Sequence, residues 1–473
     1  MTDDARPAIV WFRDDLRLAD NPALDSAVAT GRPLVLIYVL DQFSPDLRPL
    51  GGAARWWLGR SLASLARSVE AKGGRLLLRR GPAGAVLPAL AAECNARAVF
   101  WNRRYGAAEI AVDTDVKSAL IAGGVEARSF NGALLAEPWS VLNRAGQPFR
   151  VFTPFHRTAA EHDVPDPLKA PAQTLTGPDL PSEPLDSWQF EPRQPDWAGG
   201  LRETWVPGEA GALARLDTFL DEGLAGYALG RDRPDLAHVS RLSPHLRFGD
   251  ISPRQILAAV RAAKAPPGDV AKFVAELYWR EFSYHLLFHF PDLERRNFQP
   301  RFDAMAWRDD PDLLAAWQRG RTGYPLVDAG MRQLWREGWM HNRVRMVAAS
   351  FLIKHGLIDW RLGEAWFWDT LVDADPASNA ASWQWVAGSG ADAAPYFRIF
   401  NPVIQGAKFD PHGDYIRRYV PELAQVPLSA VHAPWLGGTQ LRGAAGCYPP
   451  PAVAHAEARD RALAAFEAVK AAG

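Results

Sequence analysis

Thirty residues, Asp373 to Pro402, read DADPASNAASWQWVAGSGADAAPYFRIFNP and hold two nearby acids, an asparagine and a W-x-W pair. The run does not alternate as a strand does, and its Gly, Pro, Asn and Asp are too frequent for one long helix. Such a segment keeps one conformation only if the rest of the chain holds it, which predicts a site rather than a spacer. It lies in a Trp-dense region: ten of the 19 Trp fall between Trp279 and Trp385. On a helix expected over 270–288, Glu276, Trp279 and Arg280 occupy i, i+3 and i+4 and share a face. That is the spacing of a solvated Glu–Arg pair beside a core indole. It is equally that of a platform on which a base stacks while a carboxylate accepts from an imide N–H. A helix starting near Met340 puts Asn342, Arg345 and Met346 on one face with Arg343 to the side, and a mid-helix Asn wants a partner. The run VSRLSP (239–244) reads as a helix N-terminus with Ser243 as N-cap and Pro244 at N1. Such an end suits phosphate, although Ser-Pro caps are commonly structural, and Ser240 and Arg241 add a hydroxyl and a guanidinium. His285 and His289 have metal-compatible spacing, but the HExxH glutamate is absent, so a core or surface pair and no metal is expected. No GxSxG, Walker A or kinase signature occurs.

The elements that must position these residues fall into two styles. Runs at 8–12, 33–40, 75–79, 98–101 and 125–130 are β-rich and alternate with amphipathic helices such as 53–73, which a Gly pair stops. This βαβα order predicts a doubly wound parallel sheet, yet no GxGxxG follows the first strand. Nine Pro between 163 and 207 predict an extended connector. Beyond it, 211–224, 269–290 and 331–357 carry 3.6-residue apolar periodicity. The expected organisation is an α/β domain over 1–131, a linker over 132–207 and a larger all-α domain over 208–473. At 473 residues, 48% hydrophobic and 23% charged, the chain reads as a soluble globular protein of two or three domains. A charged-then-apolar leader and an apolar run near 18 residues are both missing, which disfavours secretion and membrane spanning. Cys94 and Cys447 lack metal or disulfide spacing, as expected of a cytoplasmic protein. The net charge is −1, but Arg295–Arg345 holds ten Arg against six acids. A coding preference for Arg (45 Arg to 8 Lys) and a phosphate-binding groove both fit that excess.

In chain order, VWFRDDLRLADNPAL (10–24), FRVFTPF (149–155), SRLSPHLRFGDISPRQ (240–255), ELYWREF (276–282), TGYPLVDAGMRQLWREGWMHNRVRM (322–346) and DAAPYFRIFNP (392–402) resemble the motifs of the photolyase/cryptochrome family of flavoproteins. The resemblance spans nearly the whole chain. It implies an α/β antenna domain joined to a helical domain holding a U-shaped FAD. It further implies that Tyr227, Ser240, Arg241, Leu242 and Ser243 hold the phosphate and ribitol region. Asp373 and Asp375 would lie near the ribose and flavin, with Arg345 paired to Asp373 beside the isoalloxazine. Asn379 falls where an amide faces flavin N5 and, by accepting from N5–H, favours the reduced state. Trp383, Trp360 and Trp307 match an electron-transfer chain from flavin to surface, and Trp385 matches an aromatic wall opposite Trp279. Glu109, in FWNRRYGAAEIAVD (100–113), aligns with a pterin-binding acid and implies 5,10-methenyltetrahydrofolate as antenna chromophore. Ala108 replaces a polar neighbour, so a deazaflavin or no antenna stays open.

Within that family the residues imply light-driven repair of cyclobutane pyrimidine dimers in UV-damaged DNA by electron transfer from excited FADH⁻. The dimer would be flipped out of the duplex, where a damaged, poorly stacked pair lowers the cost. Glu276, Asn342 and Met346 would contact it, Trp279 and Trp385 would embrace it, and Arg231, Arg280, Arg343 and Lys408 would meet DNA phosphates. Relatives acting on (6-4) photoproducts carry histidines at the Asn342 and Met346 positions, and this chain does not. Plant-type cryptochromes place Asp at the Asn379 position and add a long tail, whereas this chain ends about forty residues after Trp435. The alternative is a blue-light photoreceptor without repair activity. Val239 in place of a hydroxyl residue and Ala380-Ala381-Ser382 before Trp383 imply a bacterial subclass near the plant cryptochromes. A monomer is expected.

Overall fold

Five runs rich in aliphatic and aromatic residues form strands β1 (Ala8–Phe12), β2 (Leu34–Leu40), β3 (Leu76–Arg80), β4 (Ala98–Asn102) and β5 (Glu126–Phe130) in the computed structural model, which describes residues 6–393, 397–437 and 446–472. All pair in parallel in the order β3-β2-β1-β4-β5. β1, β2 and β4 are buried along their whole length, which is why they read as unbroken apolar runs. Successive side chains feed opposite faces: Val10, Phe12 and Leu36 enter one core, Ile9, Trp11 and Val35 the other. The predicted doubly wound sheet is therefore present.

The segment after β1 welds the sheet to the helical part. Arg17, 1% exposed, donates to Gly249 O (3.0 Å), Asp20 O (2.7 Å) and Gly132 O (2.6 Å). Asp20 accepts from Ser252 Oγ (2.5 Å) and Arg254 Nε (3.0 Å). The first and third sequence motifs thus meet at one buried seam. The Pro-rich connector is pinned as well. Leu34 N donates to Thr176 O (2.8 Å), Leu175 N to Lys72 O (2.9 Å) and Glu183 N to Leu78 O (2.9 Å), and Leu175 is fully buried. The expected linker is a clasp along the sheet, and the end of FRVFTPF opens a helix, Phe152–Ala159.

Six helices carry the site: α1 (Ser243–Phe248), α2 (Pro267–His289), α3 (Pro325–Glu337), α4 (Asn342–Ser350), α5 (Trp360–Thr370) and α6 (Pro376–Ala387). The periodic stretch 331–357 breaks at Gly338 (φ +62°), where a Cβ would lie 2.7 Å from the side chains of Leu201 and Val372. It restarts at α4, capped by His341 Nδ1 accepting from Arg343 N (3.2 Å). A helix also forms inside the Asp373–Pro402 segment. Asp375 caps α6 by accepting from Ala377 N (3.0 Å) and Ser378 N (2.7 Å), Pro376 follows at N1, and Gly388 (φ +92°) ends it. Ala394, Pro395 and Tyr396 of the last motif lie outside the described residues. Among those described, no helix is long and apolar enough to cross a membrane.

Candidate active site

Tyr227, Ser240, Leu242, Ser243, Arg345, Asp373, Asp375 and Asn379 all border one cavity between α1, α2, α4, α5 and α6. Two loops of charge fix its floor. Arg345 Nη2 donates to Asp373 Oδ2 (2.8 Å) and Oδ1 (3.1 Å), while its Nε is tied to Met340 O (2.7 Å). Asp375 accepts from Tyr284 Oη (2.6 Å) as well as capping α6. Arg247 Nε donates to Ala374 O (2.7 Å), so the backbone between the two acids is held from behind. Asn379 Nδ2 donates to Glu364 Oε1 (2.7 Å) and Glu364 O (3.1 Å). Both donors of the amide are spent on α5, which leaves Oδ1 as the end free to accept.

Two expectations for the 239–244 turn are corrected. Ser243 is the first residue of α1 rather than its N-cap, and its Oγ accepts from Trp339 Nε1 (3.2 Å). Arg241 does not border the cavity. Its φ of +54° turns the side chain outward, where the guanidinium lies 4.6 Å from both the Trp205 and Trp339 rings and donates to Glu337 Oε2 (2.7 Å). What that strained residue gives the cavity is the bend that presents Ser240, Leu242 and Ser243.

Glu276, Asn342 and Met346 sit at the cavity's mouth, brought together from α2 and α4. Glu276 is not free: Arg231 Nη1 donates to its Oε1. Arg231, expected at DNA phosphates, is thereby tied to α2 with 13% of its side chain exposed. Arg280 is corrected likewise. Its Nη1 donates to Ala133 O (2.9 Å), its guanidinium lies 4.8 Å over Tyr284, and it borders the cavity. With Glu281 it braces the 133–136 loop: Glu281 accepts from Leu135 N (2.8 Å), and burial pushes its carboxyl up to about 7. Arg343 pairs with Asp232 (2.9 Å) and lies 4.5 Å over Phe409, beside exposed Lys408.

Trp279 and Trp385 are half-buried and stand outside the cavity proper. One face of Trp279 is covered by Phe152, stacked at 3.7 Å and 7°. Trp385 Nε1 donates to Asp392 O (3.0 Å), and Asp392 N to Arg150 O (3.2 Å), so both indoles lean on the segment around FRVFTPF. Phe152 belongs to the FRVFTPF motif, but nothing local marks it as the partner of Trp279. Trp383 borders the cavity and packs against α5 at Gly363, where a Cβ would lie 2.2 Å from its Cη2. Trp360 lies one turn earlier on α5, fully buried, and donates through Nε1 to Asn297 Oδ1 (3.0 Å). Trp307 packs against the same core, and Arg308 N donates to Leu357 O (2.7 Å). Asn297 and Glu364 carried no sequence signal.

Glu109 borders a second cavity, formed between the sheet's loops and α5, together with Ala108 and Arg104. His285 Nε2 accepts from Phe149 N (3.0 Å) and His289 Nε2 sits 3.1 Å from Pro138 O, so both serve the connector. Among the described residues no group of three or more His, Cys, Asp and Glu could hold a metal.

The first cavity suits a flavin nucleotide by its donor set. A paired guanidinium and an amide oxygen offer edges to a planar polar ring, two serines and a tyrosine offer hydroxyls, and Phe273, Trp339 and Phe367 offer apolar faces. A family model described as DNA photolyase matches residues 8–172, and one described as the FAD binding domain of DNA photolyase matches residues 273–468. A deoxyribodipyrimidine photo-lyase of Agrobacterium fabrum is 52% identical, over 98% of each chain. A solved bacterial class III photolyase from Agrobacterium tumefaciens superposes with a TM-score of 0.96 at 51% identity, covering 100% of this chain and 99% of that one. Cryptochrome-1 of Arabidopsis thaliana is 37% identical over 96% of this chain and 69% of its own length. With its sheet, its helical FAD-binding part and these relatives, the chain belongs to the photolyase/cryptochrome family.

Proposed function

We propose that this protein is a deoxyribodipyrimidine photo-lyase that repairs cyclobutane pyrimidine dimers in DNA. The observation that carries the reading is one cavity with two sets of groups: Arg345–Asp373, Asp375 and Asn379 inside, and Glu276, Asn342 and Met346 at the mouth. FAD, when bound and fully reduced, supplies on excitation the electron that opens the cyclobutane ring and then takes it back. The chain's own residues do the rest. The Asn379 oxygen accepts from the ring N–H that marks the reduced state, and Arg345 offers positive charge beside it. A flipped-out dimer enters edge first. The Glu276 carboxylate accepts from an imide N–H, the Asn342 amide pairs with the remaining pyrimidine edge, and Met346 gives a polarisable apolar wall.

Arg231 keeps the Glu276 carboxylate aimed, and the uncovered sides of Trp279 and Trp385 pack on the pyrimidines. Arg343 and Lys408 meet phosphates at the rim, which makes binding salt-dependent. Trp383, Trp360 and Trp307 would pass electrons inward to the flavin from an external reductant at the surface. The second cavity, with Glu109 on its wall, takes the antenna chromophore, for which methenyltetrahydrofolate is proposed. A photoreceptor would share Arg345–Asp373 and Asp375 but has no use for an acid, an amide and a thioether at the mouth.

Glu276→Ala tests the mouth. A charge-assisted hydrogen bond contributes about 1.5–3 kcal/mol, so preferential binding to a dimer-containing oligonucleotide falls by roughly 10- to 100-fold. FAD content stays at the wild-type level. A variant that keeps its dimer preference contradicts the assignment.

A further inference from the structure

A chain of hydrogen bonds joins the two cavities. Arg48, on the loop after β2, borders the second cavity and reaches α5 in a fork: Nη1 donates to Glu364 Oε1 (2.7 Å) and Nη2 to Oε2 (2.8 Å). Glu364 Oε1 also accepts from Asn379 Nδ2 (2.7 Å), and Asn379 borders the first cavity. The Glu364 side chain is 5% exposed and that of Arg48 31%. A planar fork on both carboxylate oxygens is a geometry that Arg provides and Lys does not.

We propose that Arg48 is a positioning residue for the active site, fixing through Glu364 which end of the Asn379 amide faces the flavin. The inference rests on reading Asn379 as the acceptor for the flavin N–H. An amide has a donor end and an acceptor end of nearly equal size, so its neighbours decide its orientation. An ionised Glu364 only accepts, which draws Nδ2 to α5 and leaves Oδ1 toward the cavity. A neutral Glu364 can donate to Oδ1 instead, and the NH₂ would then face the cavity, where it cannot accept. Arg48 is the cation facing this buried carboxylate, and its two N–H groups need both carboxylate oxygens as acceptors.

The side chain is not needed to dock the loop that carries it. Trp368 Nε1 donates to Pro49 O (2.8 Å), Gly52 N donates to Asp369 Oδ1 (2.8 Å), and Gly51 seats so closely that a Cβ would lie 2.2 Å from Trp368 O. The Arg48 guanidinium is laid over the Trp368 ring at 4.1 Å and is also 3.6 Å from Glu294, another acid of the second cavity. A molecule entering that cavity meets the same guanidinium that orients the flavin's acceptor, so the two cavities are coupled.

The test is the reduction potential of bound FAD in the holoprotein, measured with FAD content and melting temperature. Arg48→Ala and Glu364→Gln should each disfavour reduction about tenfold, equivalent to about 30 mV for a two-electron couple. Arg48→Lys, which restores charge without the fork, should recover part of that. Asp369→Ala, which removes a docking bond only, should melt earlier with an unchanged potential. An unchanged potential in Arg48→Ala alongside a shifted one in Asn379→Ala overturns the inference. An unchanged potential in Asn379→Ala overturns the reading of Asn379 itself. If Arg48→Ala does not fold, Glu364→Gln carries the same expectation and the same refutation.

Discussion

His341 shows how a single buried side chain adds pH dependence near the active site. It is 2% exposed, and burial lowers its pKa to about 4, with Asp232 opposing and Arg343, Arg231 and Arg345 reinforcing the shift. Its neutral Nδ1 caps α4, the helix bearing Asn342, Arg345 and Met346. The folded value lies below the unfolded one, so the unfolded state binds the proton first as pH falls. The stability this neutral ring contributes is fully present above about 6.5 and lost progressively down to about 4, roughly 3 kcal/mol in all. His341→Asn keeps a capping oxygen and removes the titration. Denaturant midpoints between pH 7.5 and 4.5 should fall less steeply in the variant than in the wild type, and parallel curves would contradict this. At this scale the sequence shows residue types but not directions. The charge of Arg241 suggests a phosphate site, yet a positive φ and two indoles from distant segments turn it away. Arg231 was expected on phosphate and instead holds Glu276.

Helix α5 is the element on which the site converges. One turn presents Trp360 to Asn297, the next presents Gly363 to Trp383 and Glu364 to Asn379, and its end docks the α/β part. Gly363 is demanded by contact: a Cβ would meet Trp383 Cη2 at 2.2 Å and Leu352 Cδ2 at 2.7 Å. Gly363→Ala should therefore shift the indole, cost about 1–3 kcal/mol and slow photoreduction of the flavin. Wild-type values in both chemical denaturation and photoreduction would contradict the packing. Strands β1, β2 and β4 were readable because burial on both faces leaves an unbroken apolar run. Helix α6 was hidden within the Asp373–Pro402 segment because its polar residues face a cavity, so no apolar stripe marks it. Only the Asp-Pro start, a cap followed by N1, signalled it locally.

In the whole molecule, the two halves are bound by buried seams whose partners are far apart in sequence. Arg17 bonds Gly249 across 232 positions, and Arg48 bonds Glu364 across 316. No local pattern announces such pairs, which is why the organisation into a sheet and a helical part was legible while their coupling was not. The motifs marked most of the cavity wall, since Ser240, Arg345, Asp373, Asp375 and Asn379 do converge there. They could not show that Phe152, from the connector, backs Trp279. The proposed function places a reduced flavin in this cavity and a pyrimidine dimer at its mouth. The direct measurement is blue-light illumination of the fully reduced holoprotein with an oligonucleotide containing one thymine dimer, followed by chromatography of the product. The account predicts light-dependent return of the two thymines and none in the dark. Intact dimer after prolonged illumination, with the flavin reduced throughout, would contradict it.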